Sequence, residues 1–265
     1  MMIMVIISLL TDFGLIDGYP GIMKGVIYSI APSVRIADVS HLISPQNVRE
    51  GAIALSRSYR YFPAGSIHVA VVDPGVGTYR RPLAMQLGDH YFVGPDNGLF
   101  SLVIQEAKEK QLPCQMIIAS NQKYWLPKPS NVFHGRDIFA PVAAHLSNGV
   151  GLEQLGDPVD DPILLPFPRP VITTHSIQGE VVAVDHFGNL STNILDTDFP
   201  LSQSCAVEIA GQTIHGLVKT FGDRPAGELV ALIGTDHDLS ISIVNGNAQA
   251  ELSVDVGAKI TVIFG

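Results

Sequence analysis

Cysteine is nearly absent from this chain: among 265 residues there are two, Cys114 and Cys205. Two thiols cannot build a disulfide framework or a four-thiolate zinc site. They read as buried, reduced thiols of a cytoplasmic protein. Charge is scarce too. Asp, Glu, Lys and Arg make up 15% of the chain against 46% hydrophobic residues, a balance that excludes a disordered polymer. Basic residues are the scarcer kind, 16 against 25 acidic, so the net charge is −9 with His neutral. A general nucleic-acid binder needs a basic face to neutralise phosphates, and that class is excluded. An acidic field would still attract a small cationic ligand. Long hydrophobic runs are missing as well. The apolar start, MMIMVIISLL, meets Thr11 and Asp12 too soon to cross a bilayer. It lacks the basic flank and small-residue cleavage site of a signal peptide. It reads as a buried strand over residues 3–10, and no membrane partner is expected.

What is present is an alternation of strands and helices. Residues 21–31 read as a helix stopped by Pro32, residues 34–39 as a strand, and residues 47–61 as a helix ending near Pro63. A strand over 66–72 stops abruptly at Asp73-Pro74-Gly75. Residues 83–87 and 91–93 form a hairpin around Gly88-Asp89. A helix over 99–110, a strand over 116–119 and a helix over 137–146 follow. This order predicts an α/β fold with a mostly parallel sheet covered on both faces. Five prolines in residues 157–170 then interrupt regular pairing. From His175 onward, short runs at 179–184, 206–209, 229–233, 240–244 and 259–264 are separated by turn residues, one of them at Gly211-Gln212. They predict a small antiparallel barrel. The expected organisation is an N-terminal α/β domain over 1–155, a proline-rich linker over 156–174 and a C-terminal β-barrel-like domain over 175–265.

Several residues stand where chemistry would be done. Asp12 ends an apolar strand, where ligands of open α/β sheets collect, and its carboxylate suits a pair of ribose hydroxyls; a plain turn or cap Asp is the competing account. Asp73 repeats the placement and opens the glycine-rich loop Asp73–Arg81. That loop is neither a P-loop nor a dinucleotide fingerprint, and its arginines would equally suit a surface ion pair. His134, in Phe133-His134-Gly135-Arg136-Asp137, sits ahead of a helix, and no spacing there supports a metal site. Asp185 and Asn189 flank an aromatic–glycine turn that would equally be a hairpin turn. Gly234–Asp238 and Val244-Asn245-Gly246 are further turn-like candidates.

Taken together and in order, TDFG, DGYPGIMKGV, VVDPGVGTYRR, GPDNGL, FHGRDIFAPVAAHL and VDHFGNLSTNI resemble the S-adenosylmethionine hydroxide adenosyltransferase family, the hydrolytic relatives of fluorinating and chlorinating enzymes. The resemblance spans nearly the whole chain. It implies conversion of S-adenosyl-L-methionine and water to adenosine and L-methionine. It also implies a homotrimer, with substrate held between the N-terminal domain of one subunit and the C-terminal domain of the next. By motif, the catalytic residues are Asp73, Arg80 and His134, a trio the halogenating relatives lack. Asp12 matches the ribose-binding aspartate, Phe133 an aromatic lining the reacting carbon, and Asp185 and Asn189 the residues that hold the methionine amine and adenine. Thr235, Asp236 and Val244 fall in the remaining substrate-binding stretches. Ser191 departs from the Trp of the fluorinating relatives, and around Thr235-Asp236 the match loosens.

The implied chemistry follows from the residue types. The leaving group is a neutral thioether, so no general acid is needed. Water, with a pKa of about 15.7, is the weak partner. Asp73 and His134 are expected to hold it in line and take its proton, with Arg80 supporting developing hydroxide. Neither metal nor cofactor is called for. The alternatives are a halogenase of the same family, a non-catalytic S-adenosylmethionine or adenosine sensor, and a metal-dependent phosphohydrolase.

Overall fold

The computed structural model describes residues 5–200 and 204–265. The chain forms two compact units, the first reaching Leu165 and the second starting at Pro166. The first holds β1 (Ile6–Thr11), β2 (Arg35–Ser40), β3 (Ile67–Val71), β4 (Pro82–Leu87), β5 (His90–Pro95), β6 (Cys114–Ile118) and the two-residue β7 (Asp157–Pro158). They make one mixed sheet in the order β2-β1-β3-β5-β4-β6-β7. The pairs β1–β2, β1–β3 and β3–β5 are parallel; β4 turns antiparallel to β5, and β6 and β7 continue antiparallel. The sheet, expected to be mostly parallel, is parallel in three of its six pairings and antiparallel in the other three. The reason is local: the turn at Gly88-Asp89 returns the chain directly beside itself.

Helices cover both faces. They are α1 (Tyr19–Ile30), α2 (Val48–Ser58), α3 (Ser101–Glu109) and α4 (Ala140–Ser147). The two-residue period of the strands decides which face each side chain serves. Ile7, Leu9, Val69 and Val71 pack with Met23 and Ile27 of α1 and Val142 and Ala143 of α4. Leu10, Ala70 and Val72 point the other way, with Leu55 of α2 and Val103 and Ile104 of α3. A strand buried on both faces must be apolar almost throughout, and this accounts for the run at residues 6–10. Residues 3 and 4 of that expected strand lie outside the described residues.

Local chemistry explains the remaining boundaries. α1 starts before Gly21, because Pro20 is tolerated in the first turn. α2 is capped by Asn47, whose side chain accepts from Glu50 N at 3.1 Å. The helix expected from Asp137 opens as a π-helical turn, Gly135–Phe139, that runs into α4. The proline-rich stretch is partly docked on the first unit. β7 pairs with β6, Ile163 N donates to Asp96 Oδ1 at 2.8 Å, and Leu165 N donates to Ser101 Oγ at 2.7 Å.

The second unit holds β8 (Val171–Ile172), β9 (Ser176–Val184), β10 (Leu190–Leu195), β11 (Cys205–Ile209), β12 (Gln212–His215), β13 (Leu229–Ile233), β14 (Asp238–Ile243) and β15 (Lys259–Phe264). All neighbours pair antiparallel, in the order β12-β11-β15-β9-β10-β14-β13, with β8 on β9. The end strands β12 and β13 approach one another, so the sheet curls into a nearly closed barrel around Ile177, Val181, Leu190, Val207, Ile241 and Val262. The β11–β12 turn lies at Ala210-Gly211 and not at Gly211-Gln212. Those two residues take φ of 50° and 75°, while Gln212 already pairs with Ile209. A short helix α5 (Ala248–Leu252), capped by Asn247, was not legible in the sequence.

Candidate active site

The parallel register brings two carboxylates to one edge of the sheet. Thr11 stands opposite Val71 at the ends of β1 and β3, so Asp12 and Asp73 follow adjacent strands at the same carboxyl-terminal edge of the sheet. Both line a cavity of about 390 Å³, together with Phe13, Tyr19, Gln46, Phe133 and His134.

One bond holds Asp12 itself, and others hold its chain neighbours. Its Oδ2 accepts from Gln46 N at 2.8 Å, and Gln46 presents that N–H from a left-handed conformation, φ 67°. On its other side, Thr11 Oγ1 accepts from Phe13 N at 3.2 Å and lies 2.8 Å from His41 Nδ1. His41 Nε2 is 3.1 Å from Asp38 Oδ1, and Lys24 Nζ lies 2.5 Å from Asp38 Oδ2. Burial pushes the Asp38 carboxyl up, but Lys24 and His41 outweigh it and hold the group below its ordinary value.

The second loop carries the charge chemistry. Arg80 Nε donates to Asp73 Oδ1 at 3.0 Å, and Arg80 Nη2 donates to Asp73 Oδ2. Nη2 also reaches His134 Nδ1 at 2.9 Å, Nη1 donates to Arg81 O at 3.4 Å, and the guanidinium lies 5.1 Å from the Phe139 ring centroid. The Asp73 and Arg80 side chains are only 5% and 6% exposed, so the bidentate pair works in a poorly solvated setting where its geometry is rigid. Gly77 makes the loop's path possible. It has φ 78°, and a Cβ there would collide with Asn131 O.

His134 arrives from the segment before the π-helical turn. Asp137 anchors that segment, accepting from Ser130 N at 2.8 Å and from Arg136 Nε at 2.6 Å. Burial first, then the Arg80 charge, lowers the His134 pKa, against the opposing pull of Asp73, Asp137 and the Ser130 backbone. The ring is accordingly neutral near pH 7. Phe133 closes an edge-to-face trio with Phe13 and Tyr19, at centroid distances of 5.7 and 5.2 Å.

The sequence-picked residues of the first unit, Asp12, Asp73, Arg80, Phe133 and His134, thus meet in one place. In the second unit Asp185 and Asn189 meet each other. Asp185 Oδ1 accepts from Phe187 N and Asn189 N, both at 2.9 Å, and Oδ2 accepts from Asn189 Nδ2 at 2.7 Å. Thr235 and Asp236 lie in the β13–β14 turn, which Gly234 N closes on Asp238 O at 2.7 Å. Val244 is buried against Val230 and Leu232 at the end of β14. Ser191 lies in β10, opposite Ser240. Gln46, Asn131 and His41 went unpicked in the sequence. The first two act through backbone groups, which side-chain identity does not advertise. Among the described residues no group of three His, Cys, Asp or Glu side chains could hold a metal ion, and no helix is long and apolar enough to cross a membrane.

Two family models match the chain: the SAM hydroxide adenosyltransferase N-terminal domain over residues 7–156 and its C-terminal domain over residues 179–261. An (R)-S-adenosyl-L-methionine hydrolase of Salinispora tropica is 38% identical over 98% of each chain, and one of Thermus thermophilus is 37% identical over 96% of this chain and 98% of its own. A fluorinase of an Actinoplanes species is 30% identical over 73% of this chain and 72% of its own. Among solved structures, an uncharacterised conserved protein of Thermotoga maritima superposes with a TM-score of 0.89 at 37% identity, covering 97% of this chain and 99% of its own.

Proposed function

The chain belongs to the SAM hydroxide adenosyltransferase family, and on that premise we propose that it hydrolyses S-adenosyl-L-methionine to adenosine and L-methionine. The observation that carries the reading is the Asp73–Arg80–His134 array, whose Asp73 and His134 line one cavity with Asp12 and Phe133 while Arg80 bonds to both Asp73 and His134.

The water oxygen forms a bond to the ribose 5′ carbon as the C5′–S bond breaks. The bonding pair goes to sulfur, and methionine leaves as a neutral thioether. The water proton is lost, so one proton is released per turnover. Positioning and a fixed field must supply the acceleration. Asp12, held by Gln46 N, is aimed at the ribose hydroxyls. Phe133 and its aromatic neighbours wall off bulk solvent at the reacting carbon. Asp73, aligned by Arg80, faces the nucleophile.

We also propose the finer points. The substrate is shared with Asp185, Asn189, Thr235, Asp236 and Val244 of the neighbouring subunit in a homotrimer. Leu15, Ile16, Leu42 and Val132, exposed by 66%, 96%, 67% and 78%, support an apolar interface on this part of the surface. S-adenosylmethionine is substrate and no cofactor is assigned. Cys114 is exposed and Cys205 half-buried, so neither is the buried thiol expected, but both are free thiols, which supports a cytoplasmic setting.

The test is incubation of the purified protein with S-adenosylmethionine in buffers with and without chloride or fluoride, followed by chromatography. Adenosine and methionine in equal amounts, unaffected by chelator, are expected, and Arg80→Ala should slow their release by about 10²–10³-fold. Halogenated adenosine would indicate the halogenase, and binding without turnover the sensor. Light scattering checks the trimer.

A further inference from the structure

The hydrogen-bond polarity around Arg80 constrains what His134 can do. A guanidinium has five N–H donors and no acceptor. Its Nη2 lies 2.9 Å from His134 Nδ1, so Nδ1 must present a lone pair there. A neutral ring with a bare Nδ1 carries its proton on Nε2. Such a ring has no vacant nitrogen. Nε2 is already protonated, and Nδ1 can be protonated only by turning an N–H toward the Arg80 N–H and breaking the contact. Asp73, by contrast, keeps a lone pair on each oxygen beyond those that Arg80 engages.

We infer that His134 is a positioning residue and not the base: as the Nε2–H tautomer it accepts from Arg80 and locks the guanidinium against Asp73, and Asp73 alone takes the proton of the attacking water. This departs from the sequence expectation that His134 shares the proton, and it rests on the hydrolase reading above. In the balanced step the water O–H bond breaks toward a carboxylate oxygen of Asp73 while oxygen bonds to C5′ and sulfur keeps the C–S pair. The neutral Asp73 acid then returns its proton to solvent. Three pieces of the array follow. Nε and Nη2 of Arg80 hold both carboxylate oxygens, Arg81 O holds Nη1, and His134 Nδ1 takes the second Nη2 proton, so rotation of the guanidinium would break several bonds at once. The charged groups that face the ring are Arg80 and Asp73 from the loop after β3, and Asp137 from its own segment.

Asparagine separates positioning from proton transfer, because Oδ1 can stand in for Nδ1 as an acceptor yet cannot act as a base. His134→Asn is expected to keep kcat within about tenfold of the wild type. It should also lose the acid limb that protonation of His134 imposes on the wild-type kcat profile, whereas His134→Ala should fall by about 10²-fold. Inactivity of His134→Asn equal to that of His134→Ala, with unchanged melting temperature and S-adenosylmethionine binding, would overturn the inference. A second measurement does not depend on turnover. Two-bond ¹⁵N–¹H spectra of ¹⁵N-histidine protein at pH 7, with the His134 signal assigned by its loss in His134→Asn, should show the Nε2–H tautomer. The Nδ1–H tautomer, or a cationic ring, would refute the assignment. If the wild type releases no adenosine, the hydrolase reading fails while the tautomer result still stands or falls by itself.

Discussion

Lowering the pH from 7 to 5 should destabilise this protein through one residue, His68, by about 2 kcal/mol. The ring is wholly buried on β3, with Ser8 Oγ 2.7 Å from Nδ1 and His90 Nδ1 3.1 Å from Nε2. Burial, then the neighbouring His90, pushes its pKa down from 6.5 to about 3. Between those values the unfolded chain binds a proton that the folded protein refuses. The unfolded state thus binds more protons, and stability falls as pH falls. The contribution is intact above about 6.5 and lost progressively toward 3. At about 1.4 kcal/mol per unit the whole shift corresponds to about 5 kcal/mol, of which the interval from pH 7 to 5 takes about 2. Urea denaturation of the wild type and His68→Gln, at both pH values and one protein concentration, isolates this term. Carboxylates and the more distant depressed histidines, His134 and His145, are common to both proteins and cancel. The wild type should lose about 2 kcal/mol more than the variant; equal losses would refute the reasoning. The consequence reaches the site, because Ser8 and His68 stand in register on the strands that deliver Asp12 and Asp73.

Other substitutions have equally definite outcomes. Gly77→Ala forces a Cβ against Asn131 O at φ 78°; a loss of about 1–3 kcal/mol by thermal unfolding and a drop in adenosine release are expected. If Asp12 binds the ribose as proposed, Asp12→Asn removes a charged acceptor and should raise KM about 10–100-fold with kcat within a few-fold, checked by initial rates and by adenosine calorimetry. His41→Ala removes the partner of Thr11 Oγ1, which steadies Phe13 N. It should cost about 1–3 kcal/mol in denaturation and raise KM more than it lowers kcat.

Strand ends were the most legible part of the sequence. Asp12 and Asp73 each interrupt an apolar run, and an apolar run that stops at a charge marks where a buried strand leaves the sheet. Their adjacency was not legible, because it depends on the β1–β3 register and not on spacing. The reach of Arg80 to His134 crosses 54 positions, and only the family resemblance suggested it. β7 was hidden by its own proline, which an edge strand tolerates where a central one would not. The Ser8–His68–His90 chain escaped notice because β1 and β3 read as apolar and His90 falls beside the hairpin turn; a His in the middle of a buried strand was the available signal. Five-residue α5 is too short to show periodicity, and only its cap, Asn247, hints at it.

The electrostatics of the site connect these pieces to the substrate. A nearly dry Asp–Arg pair is costly to desolvate, and its mutual attraction repays that only when the remaining hydrogen bonds are made. Here they are: Arg80 bonds to Asp73, Arg81 O and His134. Counting formal charges, Asp73 and Arg80 cancel, His134 is neutral, and Asp12 leaves the cavity wall at −1. A sulfonium supplies the missing positive charge, which a neutral thioether or adenosine does not. When the C–S bond breaks that positive charge vanishes, and in the mechanism proposed above a proton arrives on Asp73 in the same step. The cavity therefore stays near neutrality on both sides of the reaction, although the charge has moved from substrate to protein. Release of adenosine is then opposed by no ionic attraction. The same −1 that draws the sulfonium in returns to the wall as soon as Asp73 gives its proton to water.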